Sequence, residues 1–128
     1  MPRKAKNRPT DAELAILTVL WEIGPSTVRE VHSRLTGDVG YTTALKLMQI
    51  MTEKGLVTRD ESRRAHIYSA AATPEQTRGN LIEDLADRAF AGSADKLVMH
   101  ALASKGASAE DIAEVRALLD RLAAEEEE

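Results

Sequence analysis

The sequence predicts a mainly α fold with a small β-hairpin. Three observations predict it. Apolar residues recur at helical spacing along most of the chain. Hydroxyl residues followed three places later by Glu, and glycines or Gly-Pro pairs further on, mark helix starts and stops. One β-prone pair of segments with a polar middle interrupts the helices near the centre.

Composition limits the function classes. The 128 residues suit one compact domain with an added oligomerisation segment. Apolar residues make up 43% and charged residues 30%, as in soluble globular proteins. Aromatics are only 3%, so the core is expected to be aliphatic. Cysteine is absent, which excludes disulfides, thiolate catalysis and thiolate-ligated zinc or iron–sulfur sites. No apolar run reaches the roughly 18 residues that span a bilayer. The basic N-terminus lacks the apolar stretch of a signal peptide. The expected setting is cytoplasmic, with no stable membrane association.

The elements follow in order. Thr10-Asp11-Ala12-Glu13 has capping-box form, and Leu14, Leu17, Leu20 and Trp21 then recur at helical spacing, flanked by Ile16 and Val19. A helix is expected over 11–23, stopped by Gly24-Pro25. A second starts near Thr27, with Glu30 three residues on, and buries Val28, Val31 and Leu35 before Gly37. The segment Gly37–Tyr41 is a short turn. A third helix runs from Thr42 to Lys54, with Gly55 as its terminating glycine. Ala44, Leu47, Met48 and Met51 face its core side. Its other face carries Thr42, Thr43, Lys46 and Gln49, together with Leu45 and Ile50, apolar where solvent is expected.

Residues 56–59 and 65–69 form the hairpin, with Arg63 and Arg64 at a polar tip that lacks glycine. From Thr73-Pro74 the helical pattern returns, since Pro suits the first helical position. Leu81, Ile82, Leu85, Ala89 and Phe90 carry a helix to about Ala91. Gly92-Ser93 breaks it. Leu97, Val98, Ala101 and Leu102 mark the next helix, which ends at Lys105-Gly106. Ser108 starts a last one, with Ile112, Val115, Leu118, Leu119 and Leu122 as its stripe.

Three helices and then a hairpin is the order of a winged helix-turn-helix. The expected organisation is a winged-helix DNA-binding domain over 1–72, including a basic arm over 1–9. A helical dimerisation domain follows over 73–124, then an acidic tail over 125–128. Charge divides the same way. Residues 1–72 hold 11 Lys/Arg against 8 Asp/Glu, whereas residues 73–128 hold 6 against 13. Such asymmetry points to different partners for the two halves.

In a winged helix the third helix enters the major groove. Thr42, Thr43, Lys46 and Gln49 can then reach base edges and phosphates, and Leu45 a thymine methyl. Tyr41 either touches DNA or packs the turn. Arg63 and Arg64 would reach an adjacent phosphate or minor groove. Thr27 and Arg29 would hold backbone phosphates at the start of helix two.

The C-terminal stripes (Leu81, Leu85, Leu97, Val98, Ala101, Leu102, Ile112, Val115, Leu118, Leu119 and Leu122) have too little of their own chain to bury against. A second identical chain is the simplest partner. A twofold dimer would set two recognition helices about 34 Å apart on a palindromic site.

No enzyme is expected. The carboxylates fall on outer helix faces, and His32, His66 and His100 are too far apart in sequence for a local metal pair. No cofactor or metal is implied. A winged-helix protein-interaction module without DNA specificity stays open as the alternative.

The chain also resembles the penicillinase-repressor (BlaI/MecI) family. The likeness runs from Pro9-Thr10-Asp11-Ala12-Glu13-Leu14 through Val19-Leu20-Trp21 and Thr27-Val28-Arg29-Glu30-Val31. It is strongest over Tyr41-Thr42-Thr43-Ala44, Leu47-Met48 and Lys54-Gly55-Leu56-Val57, and continues in Arg64-Ala65-His66-Ile67-Tyr68 and the helix from Ile112 to Leu122. Order and spacing, rather than any one motif, make it specific. The resemblance implies a homodimeric repressor on a promoter dyad. It also implies release by proteolysis in the dimerisation domain, directly or indirectly through a membrane sensor metalloprotease. The corresponding candidate cleavage region is Met99-His100-Ala101. The chain departs from the family pattern at Leu45, where Arg is common, and at Gln49-Ile50, where an Asn-Arg pair is common. The operator sequence therefore does not carry over. The Cys-rich tail of copper-responsive relatives is absent.

Overall fold

The computed structural model describes residues 8–127. Along them run α1 (Asp11–Ile23), α2 (Val28–Arg34), α3 (Tyr41–Lys54), β1 (Val57–Asp60), β2 (Ile67–Ala70), α4 (Pro74–Ala89), α5 (Ala94–Lys105) and α6 (Ala109–Glu127). This is the expected mainly α fold, a winged helix-turn-helix followed by a helical region. The chain divides into two compact units, Met1–Asp84 and Leu85–Glu128, so the division falls within α4. Arg3, Lys4 and Lys6 of the expected basic arm lie outside the described residues.

Local chemistry sets the helix ends of the first unit. Thr10 and Thr27 each accept a hydrogen bond from the backbone N–H three residues on, and Glu13 and Glu30 reach back to the cap N–H. Both starts are therefore the capping boxes that the sequence implies. α2 is shorter than its pattern suggests, because Leu35 is already extended and Gly37 lies in the turn at φ +86°. α3 starts one residue early, at Tyr41. It ends at Gly55, whose φ of +81° is left-handed and lets its N–H reach the Met51 and Thr52 carbonyls.

The core lies between these helices and the hairpin. Ile16, Leu17, Val19 and Leu20 of α1 meet Val28 and Val31 of α2, and Ala44, Met48 and Met51 of α3. Val57 and Tyr68 close it from the hairpin. Met48 and Met51 are fully buried, and each such side chain stabilises the fold by about 1.5–3 kcal/mol. Leu47 and Leu45 pack against this cluster while partly exposed. Trp21 is also partly exposed, and its Nε1–H donates to the Ala72 carbonyl at 3.0 Å.

The two strands are antiparallel, with Val57 opposite Ala70 and Arg59 opposite Tyr68. The tip turns without glycine because Asp60 accepts a hydrogen bond from the Ser62 N–H at 2.9 Å. Hydrogen bonds from the Ser62 backbone and side chain, helped by the Arg63 charge, hold the Asp60 carboxyl below its ordinary range. A further pairing is invisible in the sequence. Ser26, just before α2, exchanges two backbone hydrogen bonds with Tyr68, at 3.0 and 2.8 Å.

The second unit differs. Ser93 and Ser108 cap α5 and α6 by accepting from the N–H groups of Lys96 and Asp111. The Phe90 and His100 rings lie 5.9 Å apart. Yet neither α5 nor α6 contains a buried residue. Val98, Leu102, Ile112, Leu118, Leu119 and Leu122 are all exposed. α6 runs on to Glu127, so Glu125, Glu126 and Glu127 are its exposed last turn.

Glu13 corrects the expectation that every carboxylate lies on an outer face. It is 2% exposed. Its Oε1 accepts from Lys54 Nζ at 2.6 Å and from the Thr10 N–H at 2.9 Å. Helix position explains the choice. Glu13 closes the first turn of α1, where negative charge is favoured, and Lys54 ends α3, where positive charge is favoured. Burial pushes the Glu13 carboxyl up, but the Lys54 hydrogen bond and charge and the Thr10 N–H outweigh it and hold its pKa below the ordinary 4.5. A lowered folded pKa contributes stability above the unfolded value, which is lost as pH falls through the folded one. Glu13→Gln should therefore cost about 1–3 kcal/mol at neutral pH. That difference should shrink as pH drops below 4.5, the ordinary value. Urea unfolding of both proteins at pH 7 and in that acid range checks the sign.

Candidate functional site

The Ser26–Tyr68 pairing brings three segments together. The start of α2, the start of α3 and the hairpin enclose an open groove of about 480 Å³. Thr27, Val28 and Arg29 line it from α2, Tyr41 and Leu45 from α3, and Arg64, Ala65, His66 and Tyr68 from the hairpin. Two guanidiniums therefore share a groove whose lining contains no carboxylate. Val28 and Tyr68 form a buried apolar floor. Such a groove suits an anionic partner with an apolar edge.

Five of the ten residues singled out for DNA contact thus meet in one place: Thr27, Arg29, Tyr41, Leu45 and Arg64. Leu45 is no misplaced apolar residue, because it both packs on the core and lines the groove. The other five do not line it. Thr42, Thr43, Lys46 and Gln49 are exposed on α3, and Arg63 is exposed at the hairpin tip. Ile50, the second apolar oddity of α3, is partly buried.

Each element offers distinct chemistry. The Thr27 hydroxyl already accepts from the Glu30 N–H at 3.1 Å, so what it offers a partner is its own hydrogen. Gly40 starts α3 without a side-chain cap. The first-turn N–H groups of α3 are thereby left to water or a partner. The turn between α2 and α3 is held by His32, whose Nε2 lies 2.7 Å from the Val39 carbonyl. That bond requires the proton on Nε2. The same ring meets Tyr41 edge-on, with centroids 6.0 Å apart and planes at 87°. Tyr41 therefore packs the turn and lines the groove at once.

His66 and Tyr68 are groove residues that the sequence reading passed over. Strand alternation could have found them, since 66 and 68 share one face of the hairpin. Val28 and Ala65 carry no polar group and gave no such signal. His100 lies in the second unit beside Phe90. Among the described residues no group of three His, Cys, Asp or Glu could hold a metal ion. No helix among them is long and apolar enough to cross a membrane.

In the second unit, Leu85, Val98, Leu102, Ile112, Leu118, Leu119 and Leu122 of the expected dimerisation stripe are exposed. Ala101 is exposed too, Leu97 and Val115 are partly buried, and Leu81, which falls in the first unit, is partly buried as well. Met99, His100 and Ala101 lie within α5, with Met99 60% exposed.

Helix pair, hairpin and shared groove together define a winged helix-turn-helix protein. The comparison with known families is then specific. The chain belongs to the penicillinase repressor family, whose model matches residues 9–121. Two relatives are the proteins called transcriptional regulator BlaI in Mycobacterium tuberculosis strains CDC 1551 / Oshkosh and ATCC 25618 / H37Rv. Each is 32% identical over 105 residues, spanning 79% of this chain and 76% of the relative.

The His32 bond yields a prediction. His32→Ala should cost about 1 kcal/mol, the worth of one hydrogen bond. Amide hydrogen exchange should quicken over residues 35–40 more than in α1.

Proposed function

We propose that this protein is a sequence-specific transcriptional repressor that binds promoter DNA as a homodimer on palindromic sites. The observation that carries the reading is the groove in which Arg29 and Arg64 converge beside the exposed face of α3, with no acid in its lining. Phosphate oxygens of a DNA strand are the anions that such a groove fits, and they fix orientation without reading sequence. Thr42, Thr43, Lys46 and Gln49 then present donors and acceptors to base edges in the major groove. Leu45 adds an apolar contact suited to a thymine methyl. The family, and the printed name of the relatives, support the same reading.

Dimerisation is supported by the second unit. Its helices expose Leu102, Ile112, Leu118, Leu119 and Leu122, an apolar surface that an isolated chain leaves in water. A second copy covers it symmetrically. Cleavage near Met99, His100 and Ala101 is our reading of how repression ends. α5 has no buried residue to hold it, so it opens locally at low cost. A cut there weakens the dimer, and the two half-sites no longer act together. A membrane sensor metalloprotease is the proposed source of that cut, and the cytoplasm the proposed setting.

The first test is selection of sheared genomic DNA by the purified protein at physiological salt, followed by sequencing. The expected result is a few promoters sharing a dyad with half-site centres about 34 Å apart. No enriched sequence from folded, dimeric protein would overturn the reading in favour of a protein-interaction module. On a recovered site, Arg64→Ala removes one phosphate contact per protomer. It should weaken all DNA sequences alike and flatten the log affinity against log salt slope by about 2. Leu119→Asp should yield a monomer by sedimentation equilibrium. Its affinity for the full dyad should fall by about 100-fold or more.

A further inference from the structure

His66 lines the groove and is partly buried, yet the DNA-binding reading above gives it no task. The charged and titratable groups that share the groove with it are Arg29 from α2, Tyr41 from α3, and Arg64 and Tyr68 from the hairpin. The acids of the adjoining segments are engaged elsewhere. Glu30 accepts from the Thr27 N–H at 2.9 Å, Asp60 from the Ser62 N–H at 2.9 Å, and Glu61 from Arg59 at 3.2 Å. Among the described residues His66 has no hydrogen-bond or ion-pair partner, so neither ring nitrogen is committed. An uncommitted imidazole thus sits with two guanidiniums in a groove free of carboxylates.

We propose that His66 is a proton-linked phosphate contact, which takes up a proton as DNA enters the groove and so makes this protein bind its sites more tightly as the medium turns acidic. The proposal rests on the DNA-binding reading above and names a regulation of that same site. A guanidinium keeps its charge between about pH 5 and 8, whereas imidazole is the side chain that ordinarily changes charge there. A neutral ring offers one N–H and one lone pair, but a charged ring offers two N–H groups. Phosphate oxygens only accept in this range, so they fit the charged ring better. A seated phosphate favours the charged form, and by linkage the charged form favours phosphate. Affinity therefore rises as pH falls. The other histidines stand apart from this role. His32 can keep its Nε2–H bond to the Val39 carbonyl in either form, and His100 lies in the second unit.

The test uses the full chain and a duplex carrying its selected dyad, between about pH 8 and 5.5, above the ordinary carboxylate range. Wild-type affinity should rise by roughly 10- to 100-fold toward the acid end, from one more charge-assisted contact in each protomer. The log affinity against log salt slope should steepen by about 2 over the same interval, as two more phosphates are neutralised per dimer. His66→Gln, neutral throughout, should lose both changes. His66→Lys, charged throughout, should also be flat with pH, and should bind more tightly than wild type at the alkaline end. Calorimetry of wild type in two buffers of different ionisation enthalpy gives the proton count directly and needs no variant. Uptake should approach about two protons per dimer. A wild type that selects its dyad with an affinity flat in pH, or a His66→Gln variant that keeps the wild-type pH dependence, would overturn the proton link alone. A wild type that selects no DNA at either pH would overturn the underlying reading as well.

Discussion

Two backbone hydrogen bonds between Ser26 and Tyr68 hold the hairpin against the start of α2. Both residues are buried, Ser26 at 2% and Tyr68 at 1% exposure. Backbone groups buried there without partners would each cost about 1–3 kcal/mol. The hairpin is therefore not a loose flap. Without this tie, four-residue strands would be marginal, since an isolated two-stranded hairpin is barely stable in water. With it, β2 gains a second neighbour, and Tyr68 becomes both core wall and groove floor. Arg64 and His66 inherit their place beside Arg29 from that one contact.

The same contact explains how the unit remains stable while presenting a polar face. Core burial comes from aliphatic side chains on one side of each helix, so the other side of α3 is free to carry hydroxyls, Lys46 and Gln49. Met48 and Met51 fill the space beneath with flexible side chains that adapt to neighbours. Position on α3 is then fixed from both ends. His32 holds the turn before it, and Glu13 holds its last residue, Lys54. The Glu13–Lys54 pair lies away from the groove lining, whereas His32 meets it through Tyr41.

Much of this was legible in the residues. Capping boxes at Thr10 and Thr27, the glycine at 55 and the 3.6-residue apolar pattern are local signals, and local signals survive folding unchanged. The helix limits of α1 were therefore readable to the residue. What escaped depends on distant partners. Ser26 follows Gly24-Pro25, which reads only as a break, and nothing local says that it pairs with position 68. Glu13 was legible as a cap but not as buried, because burial required Lys54, 41 positions away. The groove shows the same division. Helical periodicity singled out Leu45, the turn before the third helix Tyr41, and the basic hairpin tip Arg64, but His66 needed the strand's face to be known.

Charge supplies the last step of synthesis. The winged half exceeds neutrality by only three positive charges, and the remaining half is seven negative. On the proposed reading, a winged half so weakly basic gains little from the sequence-independent attraction that dominates non-specific DNA binding. Its acidic helices are repelled by phosphate, which favours encounters that lead with the winged half. Tight binding then demands that few contacts be well placed and that two half-sites act together. Geometry has to do what bulk charge does not. This is why the turn lock at His32, the clamp at Lys54 and the tie at Ser26, none of them a DNA contact, carry weight for recognition. On that reading, an error of about 1 Å in any of them would shift the element it holds, with no surplus of positive charge to compensate.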